Sequence, residues 1–244
     1  MKNIFGKIWL VWYGIWFVGL FLLCYPFLYL LLLNQKTYRL ADKLRKLWGK
    51  TSSYLGLMIP QIHYEQKLNV KNQYVFCPNH MSYIDIVTTG GFLPTYNFFM
   101  AKMELNKLPL FNIWFKTIDV PVQRESLRSA HGAFVKAADK LDQGASLIIF
   151  PEGRIPDDAP KLHKFKPGAF KLAVEKKIPI VPVTLIDNMD RLNIDTWSCL
   201  PGRMRMFVHA PIETAHLSID DVPALQEQVY SIISSKLKEL GVIE

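Results

Sequence analysis

The chain has 244 residues, half of them hydrophobic, with 29 Lys and Arg against 21 Asp and Glu for a net charge of +8. That length supports one α/β domain with a well-buried core plus a short appendage and leaves little room for two full domains. Three widely spaced cysteines, Cys24, Cys77 and Cys199, argue against a disulfide framework or a paired zinc motif and fit a reducing, cytoplasmic setting.

From Ile8 to Leu33 the sequence is a nearly unbroken apolar run without a charge. A spanning helix takes about 20 apolar residues. This run is longer, carries Pro26 and lacks the small-residue cleavage site of a signal peptide, so it is expected to stay as a membrane anchor. It accommodates either one tilted helix or a kinked re-entrant hairpin. Lys2 and Lys7 precede it, whereas Lys36, Arg39, Lys43, Arg45, Lys46 and Lys50 follow. The heavier basic side, and the rest of the chain with it, is therefore expected on the cytoplasmic face. Basic residues near an anionic bilayer contribute roughly 1 kcal/mol each, which assigns the charge excess to lipid headgroups, with ordinary solvated lysines as the bland alternative and no nucleic-acid partner.

Leu40, Leu44, Leu47, Trp48, Leu55 and Met58 recur at helical spacing among basic residues. They predict an amphipathic helix, lying at the membrane surface or packed on the globular domain. Residues 1–58 thus read as hydrophobic anchor plus interfacial helix, and 59–244 as the α/β domain. Within the latter, short β-branched and aromatic runs alternate with helix-length segments, the pattern of a mixed, largely parallel sheet flanked by helices. Strands are predicted at Tyr74 to Cys77, Val120 to Val122, Ser146 to Phe150, Ile180 to Leu185 and Met204 to His209, with Ile62 to Tyr64 weaker. Helices are predicted from Ser126 to Gln143, closed by Gly144; from Pro167 through Phe170 and Leu172; and after Ser218. In the last, Val222, Leu225, Val229, Ile232 or Ile233, Leu237 and Leu240 form a core-facing stripe. Neither common glycine-rich phosphate loop occurs, which disfavours nucleotide chemistry.

Pro78-Asn79-His80-Met81-Ser82-Tyr83-Ile84-Asp85 lies where an apolar strand ends and a helix begins at Ser82, with Asp85 as a capping-box-like acid. Active sites of α/β folds collect at such strand ends. A carboxylate beside a histidine fixes one tautomer and stabilises the imidazolium formed on proton uptake, so the pair can deprotonate an alcohol. Spacing alone is weak evidence, because His216 and Asp221 share it. No apolar strand immediately precedes His216, and Ser218 with Asp221 reads as a helix cap. Phe150-Pro151-Glu152-Gly153-Arg154 follows another strand and continues to Lys164-Phe165-Lys166-Pro167-Gly168; an arginine fork suits phosphate, and glycine permits close backbone approach. Lys102 and Arg124 add cations near other strand ends, each of which alone reads equally as a surface charge.

Asn79-His80 with Asp85, Lys102-x-Glu104-Leu105, Arg124, Phe150-Pro151-Glu152-Gly153 and Ile180-Val181-Pro182-Val183, in that order, resemble the 1-acylglycerol-3-phosphate acyltransferases over roughly residues 74 to 185. The resemblance implies a glycerol-phosphate acyltransferase-like fold with His80 as general base, Asp85 orienting it, and Arg124 with the Glu152-Gly153-Arg154 turn holding the acceptor's glycerol phosphate, Lys102 assisting. It implies acyl transfer from acyl-CoA or acyl-carrier protein to the sn-2 hydroxyl of a lysophosphatidic acid at the bilayer, with no metal and no cofactor. Backbone N–H groups near the helix start are the expected oxyanion site. Two departures stand out. The family writes Glu-Gly-Thr-Arg where Arg154 here directly follows Gly153, so Lys164 or Lys166 is the substitute if Arg154 has replaced the threonine. Ile118 stands where the family has a glycine six residues before the motif arginine. These departures keep another lysolipid acceptor, such as a lyso-amino-acid lipid, as the alternative, with a noncatalytic lipid-binding scaffold behind it. A serine hydrolase is set aside because no Gly-x-Ser-x-Gly elbow occurs.

Overall fold

The computed structural model describes residues 2–107, 109–122, 127–193 and 195–244. The apolar run is one continuous helix, α1 (Lys2–Leu32), which passes Pro26 unbroken and at 1.5 Å per residue is roughly 46 Å long. It is long and apolar enough to cross a membrane. A single stripe, Tyr13, Phe21, Leu28 and Leu32, is buried, while Ile8, Val11, Ile15, Leu23 and Leu30 are exposed.

The stripe packs on α2 (Tyr38–Leu55). Trp9 Nε1 and Trp12 Nε1 donate to the carbonyls of Gly56 and Leu55 at 2.9 Å each, and Trp48 Nε1 donates to Phe17 O at 2.9 Å. α2 exposes part of its apolar stripe and buries polar residues on the face toward the sheet. Leu40 and Leu47 are 53% and 58% exposed, whereas Asp42, Arg45, Ser52 and Ser53 are buried with Trp48. The cause is that α2 lies between α1 and the sheet, and its inward polar residues are paired. Arg45 donates to Asp119 at 3.0 Å, to Asp42 at 2.8 Å and to Asn97 O at 2.6 Å. A buried guanidinium is tolerated when most of its donors are met in this way; among the described residues Nε of Arg45 has no partner. Phe21, Leu28 and Trp48 belong to one core with Val75, Phe98 and Ile180 of the sheet.

Seven strands form the main sheet. In chain order they are β1 (Met58–Tyr64), β2 (Val75–Pro78), β3 (Asn97–Lys102), β4 (Val120–Val122), β5 (Ser146–Ile148), β6 (Ile180–Leu185) and, after a two-stranded hairpin of β7 (Leu192–Asn193) and β8 (Ser198–Cys199), β9 (Gly202–Val208). Their spatial order is β1-β9-β6-β2-β5-β3-β4. Within this sheet, among the described residues, β6 and β9 are the one antiparallel pair; β2 lies between β5 and β6 in parallel register, Val75 opposite Leu147 and Phe76 opposite Val181. The sheet is therefore mixed and largely parallel, and the carboxyl ends of β2 through β6 open onto one edge, where an α/β fold keeps its ligands. Helices α3 (Ile84–Phe92), α4 (Asn112–Lys116), α5 (Leu127–Asp142), α6 (Gly168–Lys176), α7 (Asn188–Arg191) and α8 (Val222–Glu239) complete the chain. β6 is buried along its whole length, as expected of a strand covered on both faces.

Every predicted strand is present, β1 extending to Met58 and so taking that residue from the predicted helix. β3 is additional: Phe98-Phe99-Met100 is too short to show alternation and is buried throughout. α8 turns Val222, Leu225, Val229, Ile233 and Leu237 inward, choosing Ile233 over Ile232. Gly144 closes α5 at φ +85, a conformation that favours glycine. Ser126, the predicted cap of α5, lies outside the described residues.

Candidate active site

Asn79 ends β2 by pairing with the end of β6. Its Nδ2 donates to Leu185 O at 3.1 Å, and its Oδ1 accepts the Leu185 N–H at 2.7 Å. This buried amide fixes where the chain leaves the sheet, and His80 follows directly. His80 Nδ1 lies 2.7 Å from Asp85 Oδ2, with side chains 10% and 0% exposed. Asp85 Oδ2 also accepts the N–H groups of Met81 and Ser82 at 2.7 and 2.8 Å. A carboxylate surrounded by N–H donors accepts, so the His80 proton sits on Nδ1 and Nε2 keeps its lone pair. Among the described residues Nε2 has no hydrogen-bond partner, and the ring stacks on Phe150 with centroids 4.0 Å apart.

The helix begins at Ile84 with Tyr83 as its N-cap, later than the predicted start at Ser82. Asp85 still accepts the Ser82 N–H as a capping-box acid does, whereas Ser82 Oγ donates to Leu192 O at 2.6 Å. Of the N–H groups expected to form the oxyanion site at this helix start, four are engaged within the loop, while among the described residues that of Tyr83 has no hydrogen-bond partner. The N–H groups of Met81 and Ser82 are taken by Asp85, that of Ile84 by Ser82 Oγ at 3.3 Å and that of Asp85 by Ser82 O at 3.1 Å.

Glu152 follows β5 and is buried. Its Oε1 accepts the His80 N–H at 2.7 Å and its Oε2 the His163 N–H at 3.0 Å. Read from sequence as part of the acceptor turn, Glu152 here spans two loops through both of its oxygens. Burial pushes its carboxyl up to about 7 despite these hydrogen bonds. Gly153 sits at φ +78, and a Cβ there would come within 2.9 Å of Lys166 Cε and Nζ, so the Lys166 chain lies over the turn. Arg154 is 65% exposed, its guanidinium 3.9 Å from Asp157. Lys102 ends β3, half-exposed and 3.6 Å from Glu104. Arg124 lies outside the described residues.

Two cavities flank the His80 loop, and Tyr83 lines both. An apolar one of about 360 Å³ runs between α2, α3 and β3, lined by Trp48, Val87, Gly90, Phe99 and Trp114, with Arg45 and Asp119 in its wall. A polar one of about 200 Å³ is lined by Ser82, Ile155, Asp157, Asn193 and Asp195 among others. Sequence reasoning missed Phe150 as the ring support and Asn188, whose Nδ2 donates to Asp85 Oδ1 at 2.8 Å. The signal that marks His80, a position just past an apolar strand, holds for Asn188 too.

A model of the acyltransferase family matches residues 60–186. A chloroplastic 1-acyl-sn-glycerol-3-phosphate acyltransferase of Brassica napus is 27% identical over 187 residues, 75% of this chain and 54% of that protein. The alpha 1-acyl-sn-glycerol-3-phosphate acyltransferase of Mus musculus is 30% identical over 172 residues, 69% of this chain and 60% of that protein. The 1-acyl-sn-glycerol-3-phosphate acyltransferase of Haemophilus influenzae is 25% identical over 168 residues, 68% and 69% of the respective chains. The chain spans about half the length of the plant relatives it matches. Its fold is that of the crystal structure of the 1-acyl-sn-glycerophosphate (LPA) acyltransferase PlsC of Thermotoga maritima, with a TM-score of 0.79 and 23% identity over 100% of this chain and 99% of that one.

Proposed function

The chain belongs to the acyltransferase family, and from that premise we propose that it transfers a fatty acyl group from acyl-CoA or acyl-carrier protein to the sn-2 hydroxyl of a lysophosphatidic acid, giving phosphatidic acid. One observation carries this reading: a buried carboxylate holds Nδ1 of His80 at 2.7 Å and leaves Nε2 as the base, on a loop whose Tyr83 lines an apolar cavity suited to a fatty chain.

As the sn-2 oxygen attacks the thioester carbonyl, its proton passes to Nε2, and Asp85 offsets the charge of the imidazolium. The tetrahedral adduct then collapses with loss of the C–S bond. The imidazolium returns its proton to the departing thiolate, leaving an ester, a free thiol and neutral His80. The exposed apolar face of α1 and the outward Leu40 and Leu47 of α2 support attachment to a bilayer. Because α1 is tied to α2 near both its ends, that attachment brings the domain against the lipid surface, on the cytoplasmic side if the basic residues after α1 set the orientation.

A second reading, another lysolipid as acceptor, is favoured by the turn after Glu152. Arg154 points to solvent, and Ile155 rather than a cation lines the polar cavity together with Asp157 and Asp195. The test is an assay of purified protein in detergent micelles with lysophosphatidic acid and either donor, beside His80→Ala. Phosphatidic acid made by the wild type and reduced about a hundredfold or more by His80→Ala is the expected outcome. A His80→Ala enzyme with full activity at saturating substrate sinks the mechanism. An inactive wild type that acylates an amino-acid lysolipid instead moves the conclusion to the second reading.

A further inference from the structure

We propose that Asn188 is a positioning residue that sets the Asp85–His80 pair, an inference that rests on the general-base reading of His80. The two oxygens of Asp85 do different work. Oδ2 meets His80 Nδ1 and two backbone N–H groups. Oδ1 points to the opposite side, fully buried, and among the described residues its hydrogen-bond partner is Asn188 Nδ2 at 2.8 Å. The same Nδ2 reaches Thr88 Oγ1 at 3.1 Å, and Thr88 Oγ1 donates to Ile84 O at 3.0 Å. A carboxylate offers no donor, so the amide orientation follows from its partner. Asn188 is itself fully buried, and it lines neither cavity.

Asn188 lies just beyond residue 186, where the family match ends, on a turn anchored independently. Asp187 clamps Arg205 of β9 at 2.6 and 2.9 Å. From the same turn Leu192 O accepts the Ser82 hydroxyl, so the segment from Ser82 to Asp85 is gripped at two points. Ile84 and Leu192 in turn pack with Cys199 of β8 and Tyr13 of α1. The brace on Asp85 therefore rests on the apolar helix as well as on the sheet.

A buried carboxylate that loses one of its donors is left undersolvated, and rotation about its Cβ–Cγ bond to find another draws Oδ2 away from Nδ1. The imidazole then loses its fixed tautomer. Substrates do not touch Asn188, so the loss falls on turnover and spares binding. Asn188→Leu should lower kcat by roughly tenfold to a hundredfold, a part of what a general base contributes, with KM for donor and acceptor unchanged.

Asn188→Asp supplies a donor only while its own carboxyl is protonated, and when ionised it faces Asp85 as a like charge. Its kcat relative to wild type should therefore rise as pH falls, while the Asn188→Leu ratio stays flat. Among the described residues, the other titratable or charged groups around this pair are His80, Glu152 beyond the His80 loop, the Asp187–Arg205 ion pair, Arg191 of α7 and Cys199 of β8. Glu152 and the Asp187–Arg205 pair are unchanged in both variants, so the contrast read is that between Asn188→Asp and Asn188→Leu at each pH. Kinetics of both variants, with folding followed by thermal melting, decide the matter. Full kcat per folded molecule in Asn188→Leu, or a flat ratio for Asn188→Asp, overturns the proposal. Activity persisting in His80→Ala would instead remove the reading beneath it.

Discussion

His80 and Asp85 stand as far apart in the sequence as His216 and Asp221. Asp85 is buried and takes the His80 ring at 2.7 Å, whereas Asp221 is exposed and takes the N–H and hydroxyl of Ser218 at 2.8 Å each. The difference lies in what precedes each histidine. His80 leaves an interior strand whose end is pinned by Asn79, so its side chain has one direction to go. His216 leaves an irregular segment and is exposed, and the nearest use for Asp221 is to cap the turn that leads into α8. Substituting the two acids in parallel breaks the comparison with the largest contrast. Asp85→Asn presents an amide where Nδ1–H needs an acceptor and should cost about a hundredfold to ten-thousandfold in kcat. Asp221→Asn should leave kcat unchanged. Equal losses in the two variants would mean that the dyad is a structural cap at both places.

A smaller effect separates the two histidines by their backbone. The His80 N–H is held by Glu152, a carboxylate that burial raises to about 7. The sign follows from proton binding. Between the ordinary carboxylate range and pH 7 the folded state holds a proton that the unfolded chain has released, so this group's contribution to stability falls as pH rises through that window. Glu152→Gln cannot titrate and should flatten that stretch of the melting temperature against pH. A Glu152→Gln profile parallel to wild type would show that Glu152 is ionised throughout.

Much of this was legible because parallel strands put their carboxyl ends on one edge. Once Tyr74 to Cys77 and Ser146 to Phe150 are read as strands, His80, Asp85 and Glu152 fall just past strand ends, and the pairing of β2 with β5 then brings them together. What escaped the sequence depends on partners far along the chain. Asn188 is one amide in Ile186-Asp187-Asn188-Met189, and only the fold shows that it reaches Asp85. The buried polar face of α2 escaped for a similar reason. Arg45 and Asp42 look solvated until Asp119 and Asn97, which face them from the sheet, are placed. The oxyanion expectation is narrowed for a like reason, because the sequence does not reveal that one carboxylate oxygen occupies two of the N–H groups at the helix start.

The smallest effect concerns the cap itself. Ser218 donates both its N–H and its hydroxyl to Asp221, and these contacts hold the Asp221 carboxyl below its ordinary value. A depressed carboxylate stabilises the fold above its unfolded pKa, and that contribution is lost as pH falls through the folded one. Ser218→Ala should therefore lower the melting temperature by about 2–4 °C at neutral pH and by less in acid, with kcat untouched. The opposite trends of Glu152 and Asp221 in the same titration make it a sensitive comparison. Burial raises the carboxyl that braces the His80 loop, and local hydrogen bonds lower the one that follows His216. If Ser218→Ala altered kcat while Asp85→Asn did not, the roles assigned to the two segments would have to be exchanged.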